Sequence, residues 1–114
     1  MKHLESKIQE AVVAYLRANN VFFTGGFAGE KLSMIAAVRR KRMGYTKGSP
    51  DLMILEPRGI HNGLMLELKA PGGKISPEQR NFGMQSLAHG YYYAVAYSVA
   101  EAIKEINKYL KGDK

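Results

Sequence analysis

The sequence predicts an α/β domain in which helices pack on a central β-sheet. Two observations favour it. Segments with helical spacing of apolar residues alternate with short β-rich runs, and no linker, repeat or low-complexity segment interrupts the 114 residues. The predicted order is α-β-α-β-β-α-β-α. Because sheets and helices bury their apolar faces against each other, one compact sandwich over residues 1–114 is the simplest arrangement.

The first half of the chain is predicted to form two helices and one strand. Apolar residues recur at helical spacing over residues 3–19, which indicates an amphipathic helix. A short strand is expected over residues 21–24, and the glycines of TGGFAGEK (24–31) predict a mobile loop. Ser33 can cap the second helix, which we expect to stop at Gly44.

The second half predicts a hairpin, a helix, a strand and a last helix. Two β-rich runs, 51–56 and 64–69, are joined by PRGIHNG, which has Pro and Gly where a hairpin needs them. SPEQ (76–79) is a strong helix start, with Ser at the cap, Pro in the first turn and Gln three residues after the cap. That helix should end at Gly90.

A buried strand is predicted over residues 91–97, followed by a second capping box in SVAE (98–101). The strand is rich in tyrosine at positions 91–93. These rings could stack on nucleic-acid bases, although such a strand more often belongs to a core or a subunit interface. The inward residues of the last helix are predicted to be Val99, Ile103, Ile106 and Leu110.

Composition excludes several classes of site. Cysteine is absent, which rules out disulfides, thiolate zinc sites and a cysteine nucleophile. The three histidines are far apart and show no ligand spacing, so a structural zinc site is not expected. Charged residues interrupt the N-terminal segment, unlike a signal peptide, and the longest apolar run is about half a membrane span. We therefore expect a cytoplasmic protein with no membrane partner.

Most of the net charge of +7 lies in residues 31–50, which contain six Lys or Arg and no acid. Such a basic segment is typical of a protein that binds a polyanion such as DNA. A solvated helix face is the alternative explanation. The candidate DNA-binding residues are Arg39, Arg40, Lys41, Arg42 and Lys47 in this segment, with Lys74 as a further candidate outside it.

Three charged residues interrupt the two β-rich runs of the predicted hairpin. Side-chain alternation places Glu67 and Lys69 on one face of their strand, opposite the leucines at 64, 66 and 68. Asp51 opens the preceding strand directly after a Gly-Ser-Pro turn. Hairpin pairing is expected to bring its carboxylate towards Glu67 at one edge of the sheet.

Two carboxylates that converge with a lysine suit phosphodiester hydrolysis. The carboxylates can hold a hard divalent cation such as Mg²⁺ through oxygen, and the lysine can orient water or stabilise charge on the phosphorane. Pro-Asp is also a common turn dipeptide, and Glu-x-Lys is a common surface strand pair. Their occurrence together on consecutive, otherwise apolar strands favours a functional site.

The motif Pro50-Asp51 followed by Glu67-Leu68-Lys69 resembles the PD-(D/E)XK signature of restriction-endonuclease-like nucleases. The surrounding ESKIQ (5–9), GSPD (48–51) and KAPGGKISPEQ (69–79) segments resemble the virus-type replication-repair nuclease (VRR-NUC) family. This resemblance covers nearly the whole chain. It implies a single VRR-NUC domain with a restriction-endonuclease-like fold, in which helices flank a mixed central sheet.

The resemblance also implies roles for individual residues. On the strands it implies the metal ligands Asp51 and Glu67, the backbone carbonyl of Leu68 as a further ligand, and the catalytic lysine Lys69. An acidic residue of the first helix is implied near the metal. Glu5 matches best, Glu10 is the alternative, and a solvated helix glutamate would explain either. Gln79 matches the family's glutamine close to the active site, but the capping box predicts the same residue.

The function implied by the resemblance is magnesium-dependent cleavage of DNA by an endonuclease. Mn²⁺ is expected to substitute for Mg²⁺. Stand-alone members, mostly from phages and prophages, resemble junction-resolving enzymes that work as homodimers. A homodimer acting on branched DNA, such as the Holliday junctions of DNA repair, is therefore expected. The rival hypotheses are a non-catalytic nucleic-acid-binding module that uses residues 31–50, and an assembly protein with a basic surface.

Overall fold

The computed structural model describes residues 2–26 and 33–112, and its elements follow the predicted order. In sequence they are α1 (Lys2–Ala18), β1 (Phe23–Gly25), α2 (Met34–Arg42), β2 (Leu52–Ile54), β3 (Leu64–Leu68), α3 (Pro77–Ala88), β4 (Tyr92–Ala96) and α4 (Val99–Leu110). No described helix is long and apolar enough to cross a membrane.

The observed strands are shorter than the β-rich runs that predict them. β1 begins two residues later than expected, and β2 occupies only the middle of the run 51–56. Most of the loop predicted over residues 24–31 lies outside the described residues, as does Lys31 of the basic segment.

The sheet is mixed, as the family resemblance implies, and its strand order is β1-β2-β3-β4. β1, β2 and β3 pair antiparallel, whereas β3 and β4 pair parallel and are connected through α3. β2 and β3 are therefore the inner strands. The prediction that Asp51 and Glu67 meet at an edge of the sheet is wrong. β1 and β4 flank the hairpin, so the two acids lie at one end of the two inner strands.

One face of the sheet carries the apolar core. α1 and α4 contact each other and cover the leucine side of β3. The buried residues of this layer are Ile8, Val12, Leu16, Leu52, Ile54, Leu64, Leu66, Leu68, Ala94, Ala96, Ala102, Ile106 and Tyr109. Removal of this much apolar surface from water stabilises the strands independently of the charged residues on the other face.

The inward face of α4 differs slightly from the prediction. Ile106 is fully buried, and Val99 and Leu110 pack partly against the core. Ile103 is not in the core, because Ala102 and Tyr109 lie on the buried side of the helix. Tyr109 is 2% exposed and belongs to the core, although it was not among the predicted inward residues.

α3 lies on the opposite face of the sheet, where it contacts β4. Its start is fixed by the predicted capping box: Ser76 Oγ accepts from the Gln79 N–H at 3.1 Å, and Gln79 Oε1 accepts from the Ser76 N–H at 2.9 Å. Gly48 packs against this first turn, and a β-carbon there would overlap the backbone of Glu78. The segment that precedes Asp51 is thus held against the N-terminus of α3.

Candidate active site

Asp51 and Glu67 face each other at one end of the inner strand pair. Leu52 pairs with Leu66 across the hairpin, so the residue before β2 lies opposite the residue after Leu66. The two side chains are 9% and 2% exposed. Asp51 Oδ2 accepts a hydrogen bond of 2.7 Å from the Leu68 N–H, which fixes this carboxylate across the end of β3.

The Glu67 carboxylate is held by Gln79. Gln79 Nε2 donates to Glu67 Oε2 at 2.6 Å, while the other end of the same amide accepts from the Ser76 N–H. Capping and contact with the carboxylate are therefore compatible roles of one side chain. The contact between Gln79 of α3 and Glu67 of β3 is long-range, so the local sequence shows only the capping role. The second oxygen, Glu67 Oε1, is buried and has no hydrogen-bond partner among the described residues.

Burial and mutual repulsion disfavour the ionised form of the pair. Burial raises the pKa of Glu67 to about 9, and the neighbouring Asp51 carboxylate adds to this shift while Lys69 opposes it. Burial also raises the pKa of Asp51, against the stabilising hydrogen bond from the Leu68 N–H. A site that keeps two carboxylates this close favours either a shared proton or a bound cation.

The structure brings Glu5 rather than Glu10 to these carboxylates. Glu5 Oε2 accepts from the Ala70 N–H at 3.4 Å, and its charge raises the pKa of both Asp51 and Glu67. Glu10 is exposed and lines a separate surface depression. The resemblance favoured Glu5 and left Glu10 as the alternative, because the final choice depends on how α1 docks on the sheet.

Lys69 follows β3 at the same end of the sheet. Its backbone N–H donates to the Ala96 carbonyl at 2.9 Å, and its positive charge lowers the pKa of both Asp51 and Glu67. Its aliphatic stem lies close to Gly73, where a β-carbon would be 3.4 Å from Lys69 Cβ. The lysine is thus near enough to both acids for its charge to act on them.

Tyr93 is a neighbour of the site that the sequence analysis did not identify as such. It pairs with Met65 in the parallel register, which places it on the sheet face of Glu67. Its ring packs against Gly83 of α3. Burial raises the pKa of Tyr93 to about 12, and the negative charges of Glu67 and Asp51 contribute. Strand alternation was the available signal, but the parallel pairing of β3 and β4 was not predicted.

The basic residues of α2 do not all face one way. α2 buries none of its residues, and Arg39 and Arg42 are exposed beside apolar side chains of the same helix. Lys41 is also exposed. Arg40 is half-buried instead and lines a cavity that reaches the sheet. Of the four basic residues of α2, Arg40 is thus half-buried and the other three are exposed to solvent.

The two remaining candidate DNA-binding residues lie near the start of α3. Lys47 is exposed, and its Nζ lies 3.9 Å from the Glu78 carboxylate. An exposed pair of this kind contributes little to stability, so Lys47 can exchange this partner for a phosphate. Lys74 is exposed in the loop between β3 and α3.

Comparison with known families identifies the domain. The model of the VRR-NUC domain family matches residues 5–100. The chain belongs to the VRR-NUC domain family. Residues 5–100 include every candidate site residue named above. A search of curated proteins gave no match.

Two solved structures support the VRR-NUC assignment of the fold. One, described as a VRR_NUC domain protein, superposes with a TM-score of 0.79 and 26% identity, over 96% of this chain and 90% of that chain. The other, described as a VRR_NUC domain, has a TM-score of 0.62 and 24% identity, over 92% of this chain and 96% of that one. The VRR-NUC chain therefore has the restriction-endonuclease-like fold of a nuclease family, for which DNA is the implied substrate.

Proposed function

We propose that the chain is a magnesium-dependent endonuclease that hydrolyses phosphodiester bonds of branched DNA as a homodimer. The observation that carries the proposal is the buried pair of facing carboxylates, Asp51 and Glu67, with Lys69 beside them. A buried pair of acids is unfavourable for folding unless it serves a ligand or is protonated. The family membership makes DNA hydrolysis the natural use of such a pair.

The residues at the site fit a hard divalent cation. Glu67 Oε1 is a buried oxygen with no hydrogen-bond partner among the described residues, and the Glu67 side chain interacts with that of Asp51. Carboxylate oxygens, backbone carbonyls and water are the ligands that Mg²⁺ prefers, and Mn²⁺ accepts the same set. Asp51 and Glu67 would hold the ion, with the Leu68 carbonyl as a further ligand and Glu5 at the rim of the site.

The site needs ligands from outside the protein as well. No group of three or more His, Asp or Glu side chains that could hold a metal ion occurs among residues 2–26 and 33–112. One oxygen of Glu5 accepts a hydrogen bond from the Ala70 N–H, so Glu5 lies at the rim of the site rather than in its centre. Water and phosphate oxygens therefore complete the coordination, as they commonly do for Mg²⁺ in phosphoryl-transfer sites.

Each protein residue has a defined part in the proposed reaction. A bound cation supplies Lewis acidity towards water and phosphate. Gln79 keeps Glu67 oriented by holding one oxygen and leaving the other unused. The Leu68 N–H holds Asp51 in the same way. The Lys69 ammonium group orients the attacking water or offsets charge that builds on the phosphorane.

The exposed arginines of α2 contact DNA phosphates without reading bases. Arg39→Ala and Arg42→Ala should each weaken DNA binding about equally for all sequences, and each should lower the slope of log K against log salt by about one unit. Binding titrations over a range of salt concentrations measure this slope. Lys104→Ala, an exposed change on α4, is the matched control and should leave the slope unchanged. An unaltered slope in the Arg39/Arg42 double variant would show that α2 faces away from the DNA.

A homodimer explains how a small domain distinguishes branched DNA. A two-fold axis fixes the separation of two active sites, and that separation can match two strands of a junction. Met34 and Ile35 of α2 are 81% and 74% exposed and offer apolar surface for such a contact. Sedimentation at the concentrations used for cleavage should therefore show a dimer. A monomer that still cuts junctions would contradict this part of the proposal.

A cleavage panel tests the proposed function as a whole. Duplex, flap, splayed and four-way junction DNA are incubated with the protein in Mg²⁺, in Mn²⁺ and in chelator. We expect metal-dependent cutting, fastest on branched DNA. Binding to every substrate with no cutting in either metal would instead identify a non-catalytic nucleic-acid-binding module that relies on residues 31–50.

A further inference from the structure

We infer that the cavity beside Asp51 is a base pocket, which receives the base of one nucleotide unstacked from the DNA next to the cleaved phosphate. The pocket has a volume of about 650 Å³ and is lined by residues of α2, β1, β2 and α3 and of the loop that follows α2. This lies within the roughly 300–1,000 Å³ range of small-molecule sites. The inference rests on the proposed nuclease function and adds a substrate-binding site to it.

The base pocket lies next to the backbone of Asp51. Gly25 and Gly26 form part of its wall, and the Gly26 N–H donates to the Asp51 carbonyl at 3.0 Å. A β-carbon at Gly26 would lie 2.6 Å from the Pro50 carbonyl oxygen, so glycine permits this close approach. Met53, which also lines the pocket, is two residues from Asp51 and lies on the same face of the sheet. The pocket therefore lies on the side of the sheet from which a DNA phosphate would reach Asp51.

The walls of the pocket suit the flat faces of a nucleobase. Tyr45 and Phe82 contribute aromatic rings, and Met43 and Met53 contribute polarisable apolar side chains. Bases stack on aromatic rings with little dependence on their identity, because every base has a π face. Tyr45 and Phe82 come from different parts of the chain, the first from the loop after α2 and the second from α3.

Polar groups of the pocket suit the edges of a base. Thr46 and Ser49 line it, and a hydroxyl can both donate and accept a hydrogen bond. Arg40 also lines it, and a guanidinium can stack on a base or pair with a phosphate. The two hydroxyls can satisfy either a donor or an acceptor on the base, which predicts tolerance of all four bases rather than sequence readout.

An unstacked base explains a preference for branched DNA without any base-specific contact. Extrusion of a paired base costs a few kcal/mol, and the cost is least where pairing is already interrupted. Nucleotides at a branch point meet this condition, whereas those within a continuous duplex do not. Occupation of the pocket would therefore favour cutting close to the branch.

The test combines removal of a base from the DNA with removal of a ring from the protein. A tetrahydrofuran abasic analogue replaces each nucleoside in turn on both sides of the branch point of a splayed duplex, and dissociation constants are measured in chelator. At one position we expect base removal to weaken wild-type binding about tenfold, the size expected for loss of one stacked base. Tyr45→Leu keeps apolar bulk but lacks the ring. In this variant, removal of the same base should change the dissociation constant less than twofold.

Two further variants make the test specific. Tyr45→Phe keeps the ring and should retain the wild-type sensitivity to base removal. Tyr91→Leu changes a half-buried tyrosine that lines a different cavity, of about 380 Å³, and should also behave as wild type. Thermal midpoints of all variants show whether they are folded.

The outcomes separate this inference from the proposed function. If no abasic position weakens wild-type binding, or if Tyr45→Leu is as sensitive as wild type at every position, the base pocket is overturned while nuclease activity stands. If base removal weakens binding by wild type but not by Tyr45→Leu, and the protein never cuts DNA in Mg²⁺, the base pocket is supported and the nuclease proposal fails.

Discussion

Asp51→Asn is expected to reduce the single-turnover rate of DNA cleavage by a factor on the order of 10² or more, with the protein still folded. The change removes the charge of a proposed metal ligand and keeps the size of the side chain. The amide oxygen can still accept the hydrogen bond from the Leu68 N–H. The leucine face of β3 packs on α1 and α4 and does not depend on Asp51.

Lys69→Ala is expected to give a loss of similar size, because it removes the group that positions water or offsets charge on the phosphorane. DNA binding should survive both changes. In chelator, Asp51→Asn should bind at least as tightly as wild type, since one negative charge near the phosphate is gone. Gel-shift titration in chelator, paired with single-turnover cleavage in Mg²⁺, measures both quantities on the same preparations.

The two glutamates of α1 supply a matched pair of controls for this measurement. Glu5→Gln should slow cleavage, because Glu5 lies at the rim of the site. Glu10→Gln should cut at the wild-type rate, because Glu10 is exposed elsewhere on the same helix. Wild-type cleavage by both Asp51→Asn and Lys69→Ala would place the site elsewhere. Loss of DNA binding by both would assign these residues to the fold or the binding surface.

Glu67→Gln is expected to stabilise the metal-free protein at pH 8 and to have little effect near pH 4. The pKa of Glu67 rises from the ordinary value of 4.5 to about 9 on folding. Between these values the folded state retains a proton that the unfolded chain has released. The stabilising contribution of this proton is complete below pH 4.5 and is lost progressively as pH rises towards about 9.

Glutamine cannot ionise, so the variant should escape this loss. At pH 8 its thermal midpoint should exceed that of wild type by roughly 5 °C or more, which corresponds to a gain of one or a few kcal/mol. Thermal unfolding from pH 4 to pH 9 in chelator provides the measurement. Parallel profiles for the two proteins would contradict the raised pKa.

Magnesium should reverse the difference between the two proteins. An ion that binds only the folded state stabilises it by RT ln(1 + [L]/Kd). At pH 8, saturating Mg²⁺ should therefore raise the midpoint of wild type, and Glu67→Gln should lose most of this gain. An equal gain in both proteins would show that the ion binds elsewhere.

Local sequence patterns were sufficient to predict the elements and the central pair of the site. Helix starts at Ser33, Ser76 and Ser98 are fixed by contacts within three residues, which a sequence displays directly. The facing of Asp51 and Glu67 follows from strand alternation and one hairpin, which are also local. The two acids could therefore be paired before any tertiary information.

The remaining features depend on contacts between distant segments. Strand order requires knowledge that β1 and β4 flank the hairpin, and neither pairing is encoded by a short turn. The choice of Glu5 over Glu10 depends on the rotation of α1 about its axis. The contact of Gln79 with Glu67 and the inward direction of Arg40 depend on where α3 and α2 rest on the sheet.

The most direct test of metal-dependent hydrolysis at this site is an add-back experiment on one labelled four-way junction. Wild-type protein and Lys69→Ala are bound to the junction in chelator, excess Mg²⁺ is then added, and cut strands are counted over a single turnover. We expect intact DNA in chelator for both proteins, prompt cutting by wild type after Mg²⁺ is added, and cutting by Lys69→Ala that is slower by a factor on the order of 10². Cutting in chelator, or equal rates for the two proteins after Mg²⁺ is added, would contradict metal-dependent hydrolysis at this site.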